Sequence, residues 1–163
     1  MKIYSFPSIS NPDAKVLVLG TMPGVASLQL NQYYGHSRNA FWKLLFIIFE
    51  DPYTNDYEQR KQLVLKHNLA LWDVLQACVR EGSLDSAITE EVPNDFTSFL
   101  QTLPNLKLIV FNGQKAAKYF NKYVQVSNLY KQVTLPSTSP ANARISFEQQ
   151  LKEWAVIKVV ISN

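Results

Sequence analysis

The sequence has little of the two residue types that most often build metal and redox sites: one cysteine, Cys78, and two histidines, His36 and His67, among 163 residues. A single cysteine excludes an intramolecular disulfide, a Cys-x-x-Cys zinc site and four-cysteine iron–sulfur ligation. Because His67 falls at the end of a predicted helix, a histidine-based metal site or catalytic triad is also hard to assemble. We therefore expect no metal and no cofactor, and we interpret Cys78 as a small buried thiol.

Long apolar runs and nucleotide-binding glycine patterns are absent as well. No stretch reaches the roughly 18 consecutive apolar residues of a membrane span, and residues 1–7 lack the apolar core and cleavage site of a signal peptide. We therefore expect no membrane contact and a cytoplasmic location. Because neither Gly-x-Gly-x-x-Gly nor Gly-Lys-Ser/Thr follows the first apolar run, dinucleotide binding and nucleotide hydrolysis are both disfavoured.

The composition that is present fits one globular unit. The chain is 47% hydrophobic and 12% aromatic, which at this length predicts one well-buried core and a single domain over residues 1–163. The net charge of +3 is too small to indicate nucleic-acid binding by itself. Residues 105–163 nevertheless hold eight Lys and Arg against two acidic residues, a net of +6 that leaves −3 for the first 104. This later part is either a side that faces phosphates or a plain solvated surface.

Apolar patterns predict strands that alternate with helices. The run at 16–19, Val-Leu-Val-Leu, is typical of a strand buried on both faces. Further strands are predicted at 69–71, 106–111 and 132–135. Helices are predicted from Phe41, over 56–67, from Phe96 after the Pro93-Asn94-Asp95 cap, over 116–123, and from Ser146, which has capping-box spacing to Gln149. This order predicts parallel pairing and a three-layer α/β/α sandwich around a central four-stranded, mostly parallel sheet.

In such sheets the ligand binds beyond the carboxyl ends of the strands. The rule indicates four loops, at residues 20–39, 72–85, 112–113 and 136–144. The first is long for a connection between a strand and a helix, and long loops in compact domains are usually functional.

The first loop carries a distinctive pattern. It runs Gly20-Thr21-Met22-Pro23-Gly24-Val25-Ala26-Ser27 and continues as Tyr33-Tyr34-Gly35-His36-Ser37-Arg38-Asn39-Ala40-Phe41-Trp42-Lys43. This pattern, with Asn-x-Phe-Trp-Lys at 39–43 as its most specific part, resembles the mismatch-specific uracil/thymine branch of the uracil-DNA glycosylases. The late segment 135–142, Leu-Pro-Ser-Thr-Ser-Pro-Ala-Asn, is similar to the superfamily's second motif, a Pro-Ser turn that clamps DNA.

The hypoxanthine-DNA glycosylase subgroup is most similar, because it shares Leu-Trp-Asp-Val at 71–74 and the Glu-Gly-Ser-Leu-Asp region at 81–85. The resemblance covers nearly the whole chain. It implies a monofunctional DNA glycosylase of base excision repair, a monomer that flips a deaminated base from DNA and hydrolyses its N-glycosidic bond. Hypoxanthine is the favoured substrate that it implies, with uracil or xanthine weaker.

Two positions depart from the superfamily pattern. Met22 stands where most members have an Asp or Asn that holds the attacking water, and a thioether cannot hold that water. Leu135 stands where the second motif usually begins with His or Asn. Either the chain is a catalytically inactive nucleic-acid or nucleotide-binding domain, or other residues have taken these roles.

The resemblance implies a role for several residues of the first loop. Asn39 is the expected catalytic residue that positions the water; the alternative is an N-cap for the helix at Phe41. Tyr34 is the expected stacking partner of the extruded base, and Tyr33 could serve instead. For either tyrosine the alternative is a half-buried loop aromatic.

Other residues are expected to contact the base edge and the DNA. Asp73 matches the position that binds the base edge, where a carboxylate suits the N1–H of hypoxanthine or the N3–H of uracil; equally, it could cap a following helix. Met22 and Asn112 complete the predicted base pocket. The residues expected to contact DNA are Pro136, Ser137, Thr138, Ser139, Asn142 and Arg144, with Lys115 as a possible electrostatic helper.

Overall fold

The structure, a computed structural model, describes residues 1–126, 130–142 and 144–163. Its strands are β1 Lys2–Tyr4, β2 Val16–Gly20, β3 Leu69–Asp73, β4 Leu75–Val79, β5 Thr89–Pro93, β6 Leu108–Asn112 and β7 Lys131–Leu135. Its α-helices are α1 Val25–Leu30, α2 Phe41–Ile48, α3 Tyr57–Lys66, α4 Phe96–Gln101, α5 Gln114–Tyr123, α6 Phe147–Trp154 and α7 Val156–Ser162. A single 3-10 turn spans Asp85–Ala87 in the described residues. Within these ranges no helix is long and apolar enough to cross a bilayer.

The main sheet has four parallel strands in the order β3-β2-β6-β7. Every residue of β2 is buried, as expected for a central strand with helices on both faces. Val16 and Val18 face one core cluster with α2, α3, α6 and α7, while Leu17 and Leu19 face a second cluster with α4 and α5. The predicted α/β class with a four-stranded parallel sheet between helical layers is confirmed.

A second, antiparallel sheet of order β1-β4-β5 was not predicted. Leu75 and Ala77 are buried while Gln76 between them is exposed, as in a strand with one solvated face, although Cys78 is buried too and ends the alternation. The prediction that residues 72–85 form a loop is therefore wrong for Leu75–Val79. The helix-cap alternative for Asp73 is wrong as well, because the element that follows Asp73 is strand β4.

Several helix starts form as their capping residues predict. Ser146 accepts a hydrogen bond from the amide of Gln149 at 3.1 Å, and Asp95 accepts one from Ser98 at 3.1 Å. Such bonds satisfy amides that have no partner inside the helix. Element ends differ from the predictions by a few residues; α5, for example, begins at Gln114. Cys78 is a buried free thiol, as predicted.

Candidate active site

A cavity of about 910 Å³ opens at the carboxyl ends of the parallel strands. It is lined by residues from each of the four loops that the sheet rule indicates, although Ala143, inside the fourth, lies outside the described residues. All residues predicted to act catalytically or to contact the base or the DNA border this cavity, but the possible helper Lys115 does not: the residues at the cavity are Met22, Tyr33, Tyr34, Asn39, Asp73, Asn112, Pro136, Ser137, Thr138, Ser139, Asn142 and Arg144. The fold thus brings the predicted residues to one place, where their roles can be assessed from local contacts.

The floor of the cavity is formed where β2 and β3 end side by side. Gly20 pairs in register with Asp73. A Cβ atom at Gly20 would lie 2.6 Å from Oδ1 of Asp73 and 3.1 Å from the hydroxyl of Tyr34. Only glycine leaves room for both polar groups to approach this strand end.

Asp73 is a buried carboxyl group, 3% exposed. Its Oδ2 is buried and accepts no hydrogen bond from the described residues. Burial raises the pKa of Asp73 to about 7; the negative charge of Asp85 raises it further, and the positive charge of Arg80 opposes the shift. A buried acid with a strongly shifted pKa in a cavity is typical of a functional site.

The adjacent tyrosines point to different places. The Tyr33 hydroxyl donates to the carbonyl of Pro7 at 2.9 Å, and the residue is 3% exposed. Tyr34 has a φ of 53°, and its ring lies against Phe41 with 4.1 Å between ring centroids. Its hydroxyl is buried and makes no hydrogen bond of good geometry with the described residues. Burial, followed by the charge of Asp73, raises its pKa, and the nearby Asn112 side chain opposes the shift. Tyr34 therefore brings an unpaired polar group to the floor, whereas Tyr33 is buried in the core with its hydroxyl hydrogen-bonded to the backbone.

Asn39 both caps a helix and borders the cavity. Its Oδ1 accepts a hydrogen bond from the amide of Phe41 at 3.0 Å, which satisfies the first residue of α2. The N-cap position of α2 is Ala40, which makes no side-chain cap bond, so Asn39 supports the start of the helix from one residue earlier. A carbonyl oxygen has a second lone pair, so capping leaves Oδ1 able to accept a bond from water.

Asn112 and Thr138 hold two loops together. The Asn112 amide donates to Oγ1 of Thr138 at 2.9 Å, and its Oδ1 accepts from the Thr138 backbone amide at 2.9 Å. The carbonyl of Thr138 in turn accepts from the amide of Ala40 at 3.0 Å. The side chain predicted to contact the base thus joins the end of β6 to the second-motif loop, which is itself bonded to the start of α2.

Helix α6 supports the rest of the second-motif loop, a role that the sequence did not reveal. The indole of Trp154 donates to the carbonyl of Pro136 at 3.0 Å, and the amide of Gln150 donates to the carbonyl of Ser137 at 2.9 Å. Asn142 also donates to the Ser137 carbonyl, at 3.0 Å. These bonds fix the backbone of a loop with few apolar side chains.

On the other side, the segment 81–85 is linked to the first loop. The guanidinium of Arg80, 6% exposed, donates to the carbonyls of Pro23 and Gly82. Oγ of Ser83 accepts from the amide of Val25 at 2.8 Å. The sequence pointed to this segment only through its family resemblance, because bonds between distant loops leave no local pattern.

Comparison with known proteins places the chain in a family. The family model described as the Uracil DNA glycosylase superfamily matches residues 7–160. The chain belongs to this superfamily. It is accordingly a DNA glycosylase, an enzyme of the hydrolases that act on N-glycosyl bonds, as the sequence predicted.

Individual relatives agree with the family assignment. The Hypoxanthine DNA glycosylase of Methanosarcina barkeri (strain Fusaro / DSM 804) is 38% identical over 156 residues, which cover 95% of this chain and 97% of the relative. The protein of the same name from Methanosarcina acetivorans is 37% identical over 153 residues, which cover 93% and 95%. A solution NMR structure of a candidate uracil DNA glycosylase from Methanosarcina acetivorans has a TM-score of 0.83 and 34% identity, covering 98% of this chain and 99% of that one.

Within this superfamily, two positions of the chain lack a polar side chain. Met22 is 8% exposed and packs in the second core cluster, and Leu135 is 6% exposed and packs in the first. Neither side chain can donate a hydrogen bond to a base or hold a water molecule. Any hydrolysis must depend on the remaining polar groups of the cavity.

Proposed function

We propose that this superfamily member removes hypoxanthine from DNA as a monofunctional glycosylase of base excision repair, with uracil and xanthine as weaker substrates. The observation that carries the proposal is the pair of unpartnered polar groups on the floor, the Asp73 carboxyl and the Tyr34 hydroxyl. Buried polar groups in proteins are nearly always hydrogen-bonded, so an orphan pair in a cavity suits a polar ligand. The names of the two Methanosarcina relatives support hypoxanthine as that ligand.

The proposed recognition follows from hydrogen-bond complementarity. Hypoxanthine carries a donor, N1–H, beside an acceptor, O6. The ionised Asp73 accepts from N1–H, and the Tyr34 ring stacks on the base, a contact worth about 1–3 kcal/mol. The absence of a Cβ at Gly20 allows the Asp73 carboxyl group and the Tyr34 hydroxyl to approach this strand end.

The proposed chemistry relies on positioning. Departure of the base leaves positive charge on the sugar, so the water needs placement more than deprotonation. Asn39 supplies this placement through the free lone pair of Oδ1, while its other lone pair continues to cap α2. Asn39 thus takes the role of the Asp or Asn that most superfamily members have at the position of Met22.

The second-motif loop is proposed to contact the DNA backbone. Ser137 and Ser139 are half-buried at the cavity and Arg144 is exposed, so their polar groups suit phosphate oxygens. Thr138 and Asn142 are proposed to hold this loop in shape, since Thr138 bonds to Asn112 and the Asn142 amide donates to the Ser137 carbonyl. The hydroxyls of Ser137 and Ser139 accept from amides of the loop and keep their own O–H groups to donate to phosphate. The net charge of +6 over residues 105–163 supports a phosphate-facing side. We propose a single domain over residues 1–163 that acts as a monomer.

A direct assay tests this function. Oligonucleotides that contain inosine, uracil or xanthine are incubated with the protein and then treated with alkali, which cleaves at abasic sites. We expect the protein to excise hypoxanthine faster than uracil or xanthine. We expect no strand cleavage before the alkali treatment. No lysine borders the cavity in the described part of the chain, so borohydride should trap no covalent adduct.

DNA or nucleotide binding without catalysis, the alternative that Met22 and Leu135 raised in the sequence, disagrees with the family assignment. It predicts that the protein binds an inosine-containing duplex and leaves every base in place. A trapped adduct, in contrast, would contradict the monofunctional mechanism alone.

A further inference from the structure

The hydroxyl of Tyr34 is a buried hydrogen-bonding group without a partner. It makes no hydrogen bond of good geometry with the described residues. The neighbouring Tyr33 differs, because its hydroxyl donates to the carbonyl of Pro7 at 2.9 Å. Buried hydroxyls nearly always have a partner. The Tyr34 hydroxyl is therefore available to a ligand, as a group separate from the ring face that is proposed to stack.

The fold holds this hydroxyl beside the Asp73 carboxyl group. Phe41 covers one face of the Tyr34 ring, with 4.1 Å between the ring centroids, which fixes the direction of the side chain. At the other end of the ring, a Cβ atom on Gly20 would lie 3.1 Å from the hydroxyl and 2.6 Å from Oδ1 of Asp73. Because both oxygens are so close to one point, they are neighbours at the end of β2.

The surroundings make the Tyr34 hydroxyl a hydrogen-bond donor. Burial, followed by the charge of Asp73, raises its pKa, so it keeps its proton at neutral pH. The Asn112 side chain lowers the pKa, which is the effect of an amide that faces the hydroxyl oxygen. Since the oxygen faces an amide, the hydrogen of the hydroxyl is free to be donated in another direction.

Removal of the base creates a need for such a donor. When the bond between C1′ and N9 breaks, its electron pair leaves with the base, and the negative charge spreads onto O6. Water then adds its hydroxyl group to C1′, and its proton neutralises the base. A hydrogen bond to O6 strengthens as this charge develops and therefore lowers the barrier. The side chains of Met22 and Leu135 cannot supply it.

We propose that Tyr34 is a catalytic residue whose hydroxyl donates a hydrogen bond to O6 of the departing hypoxanthine. This inference rests on the proposed function and deepens it. Asp73 accepts from N1–H while Tyr34 donates to the adjacent O6, so two neighbouring oxygens of the floor match two neighbouring groups of the base. Adenine presents the reverse pattern, an acceptor at N1 beside an amino donor, so the pair favours the deaminated base.

Tyr34→Phe is the test variant, because it keeps the ring and removes only the hydroxyl. We expect single-turnover excision of hypoxanthine to fall by about 10- to 100-fold, the range for one hydrogen bond to a charged acceptor. The melting temperature should stay the same or rise, since a buried unpaired group is lost. Tyr119→Phe is the matched control and should excise at the normal rate, because Tyr119 is a buried tyrosine on α5 that does not border the cavity.

A binding measurement gives a readout that does not require base removal. Duplexes carry either 2′-fluoro-2′-deoxyinosine, which resists cleavage, or its 6-thio counterpart, which keeps N1–H and replaces O6 with a weakly accepting sulfur. We expect the unmodified protein to bind the oxygen form at least about 3-fold more tightly, within the range of one net hydrogen bond. Tyr34→Phe should lose this preference, and Tyr119→Phe should keep it.

The pH profile separates a contact with the base from an action through Asp73. A hydroxyl that donates to O6 leaves the pH dependence of excision near 7 in place when it is removed, because that dependence belongs to Asp73. A profile displaced along the pH axis in Tyr34→Phe would mean that the hydroxyl acts on the Asp73 carboxylate, and it would overturn the direct contact.

The outcomes also separate this proposal from the function on which it rests. A preference for the oxygen form that depends on Tyr34, without excision by the unmodified protein, would contradict the proposed activity and leave the contact standing. Normal excision by Tyr34→Phe, or a preference that this variant retains, would overturn the role of the hydroxyl and leave the activity standing. No preference by the unmodified protein would also overturn that role.

Discussion

The second-motif loop forms one wall of the cavity, and Gly20, Asp73 and Tyr34 form its floor. The polar groups of the wall are hydrogen-bonded within the protein, whereas two polar groups of the floor are not. On the wall, Thr138 makes hydrogen bonds through its amide, hydroxyl and carbonyl, and the Ser137 carbonyl accepts from two side chains. On the floor, Oδ2 of Asp73 and the hydroxyl of Tyr34 are buried without a bond from the described residues. The wall is internally satisfied, and the floor is not.

This difference indicates that the wall stabilises the shape of the cavity and that the floor has polar groups free to bind a ligand. Leaving a buried polar group unpaired costs about 1–3 kcal/mol, so an unpaired floor persists only at the expense of stability. Changes in the wall should therefore lower stability and spare substrate choice. Changes on the floor should alter chemistry and spare or raise stability.

Asn39 gives the most demanding test, because it is proposed to serve both shape and chemistry: it bonds to the start of α2 and positions the water. For Asn39→Ala we expect single-turnover excision of hypoxanthine to fall by at least ~10²-fold, the lower end for a positioned catalytic group. Loss of its bond to the Phe41 amide should cost only about 1 kcal/mol of stability. Single-turnover rates and thermal unfolding on the same protein measure the two effects.

Binding gives the control for Asn39. Affinity for DNA with an uncleavable analogue should change little, since Tyr34 and the Pro136-Ser137 turn keep their contacts. A well-folded Asn39→Ala protein with near-normal turnover would limit Asn39 to capping, and no side chain identified in the cavity would then replace Met22.

Asp73 gives the next largest effect, through pH. The unfolded chain releases this proton near the ordinary pKa of 3.8, whereas the folded protein releases it near 7. Protonation thus favours the folded state, and stability is lost as pH rises from about 4 to 7. Asp73→Asn removes this loss, so its gain in melting temperature should grow across that window, each pKa unit being worth about 1.4 kcal/mol.

Activity should follow the opposite trend. If the ionised Asp73 accepts the N1–H of hypoxanthine, excision by the unmodified protein rises as pH passes through about 7. Asp73→Asn should lose this limb and slow the excision of hypoxanthine by about 10-fold, since an amide does not titrate and one acceptor becomes a donor. A limb that falls through pH 7 would mean that the protonated acid is the active form.

The sequence could predict features that depend on local patterns, but not features that depend on tertiary packing. Uninterrupted runs such as 16–19 and caps such as Ser146 are local signals, so the parallel sheet and its helices were predictable. The rule that ligands bind beyond the carboxyl ends of parallel strands then indicated where the site residues lie. Strand β1 has three residues and β4 follows β3 after one residue, so both escaped the pattern search. The bonds of Thr138 to Asn112, 26 residues away, depend on tertiary packing and leave no periodic trace.

The Asn112–Thr138 link gives the clearest test of the wall. Asn112→Ala removes two of the three hydrogen bonds of Thr138 at once and should destabilise the protein by about 1–3 kcal/mol, because the amide and hydroxyl of a 2%-exposed residue lose their bonds. Denaturant unfolding measures this loss. The rate ratio between hypoxanthine and uracil should stay within about 2-fold, an energy below that of one net hydrogen bond. A changed ratio with unchanged stability would support the predicted contact between Asn112 and the base.

Ser146 gives the smallest effect and probes the wall from its support. Its hydroxyl caps α6, the helix whose Gln150 and Trp154 bind the second-motif loop. Ser146→Ala should cost about 1 kcal/mol of stability and leave excision at saturating DNA unchanged, because Gln150 and Trp154 lie beyond the first turn. Ser146→Asp, which keeps a capping acceptor, is the matched control and should restore stability. If Ser146→Ala instead slowed excision as much as Asp73→Asn, the wall would not be a passive support, and the separation between shape and chemistry would fail.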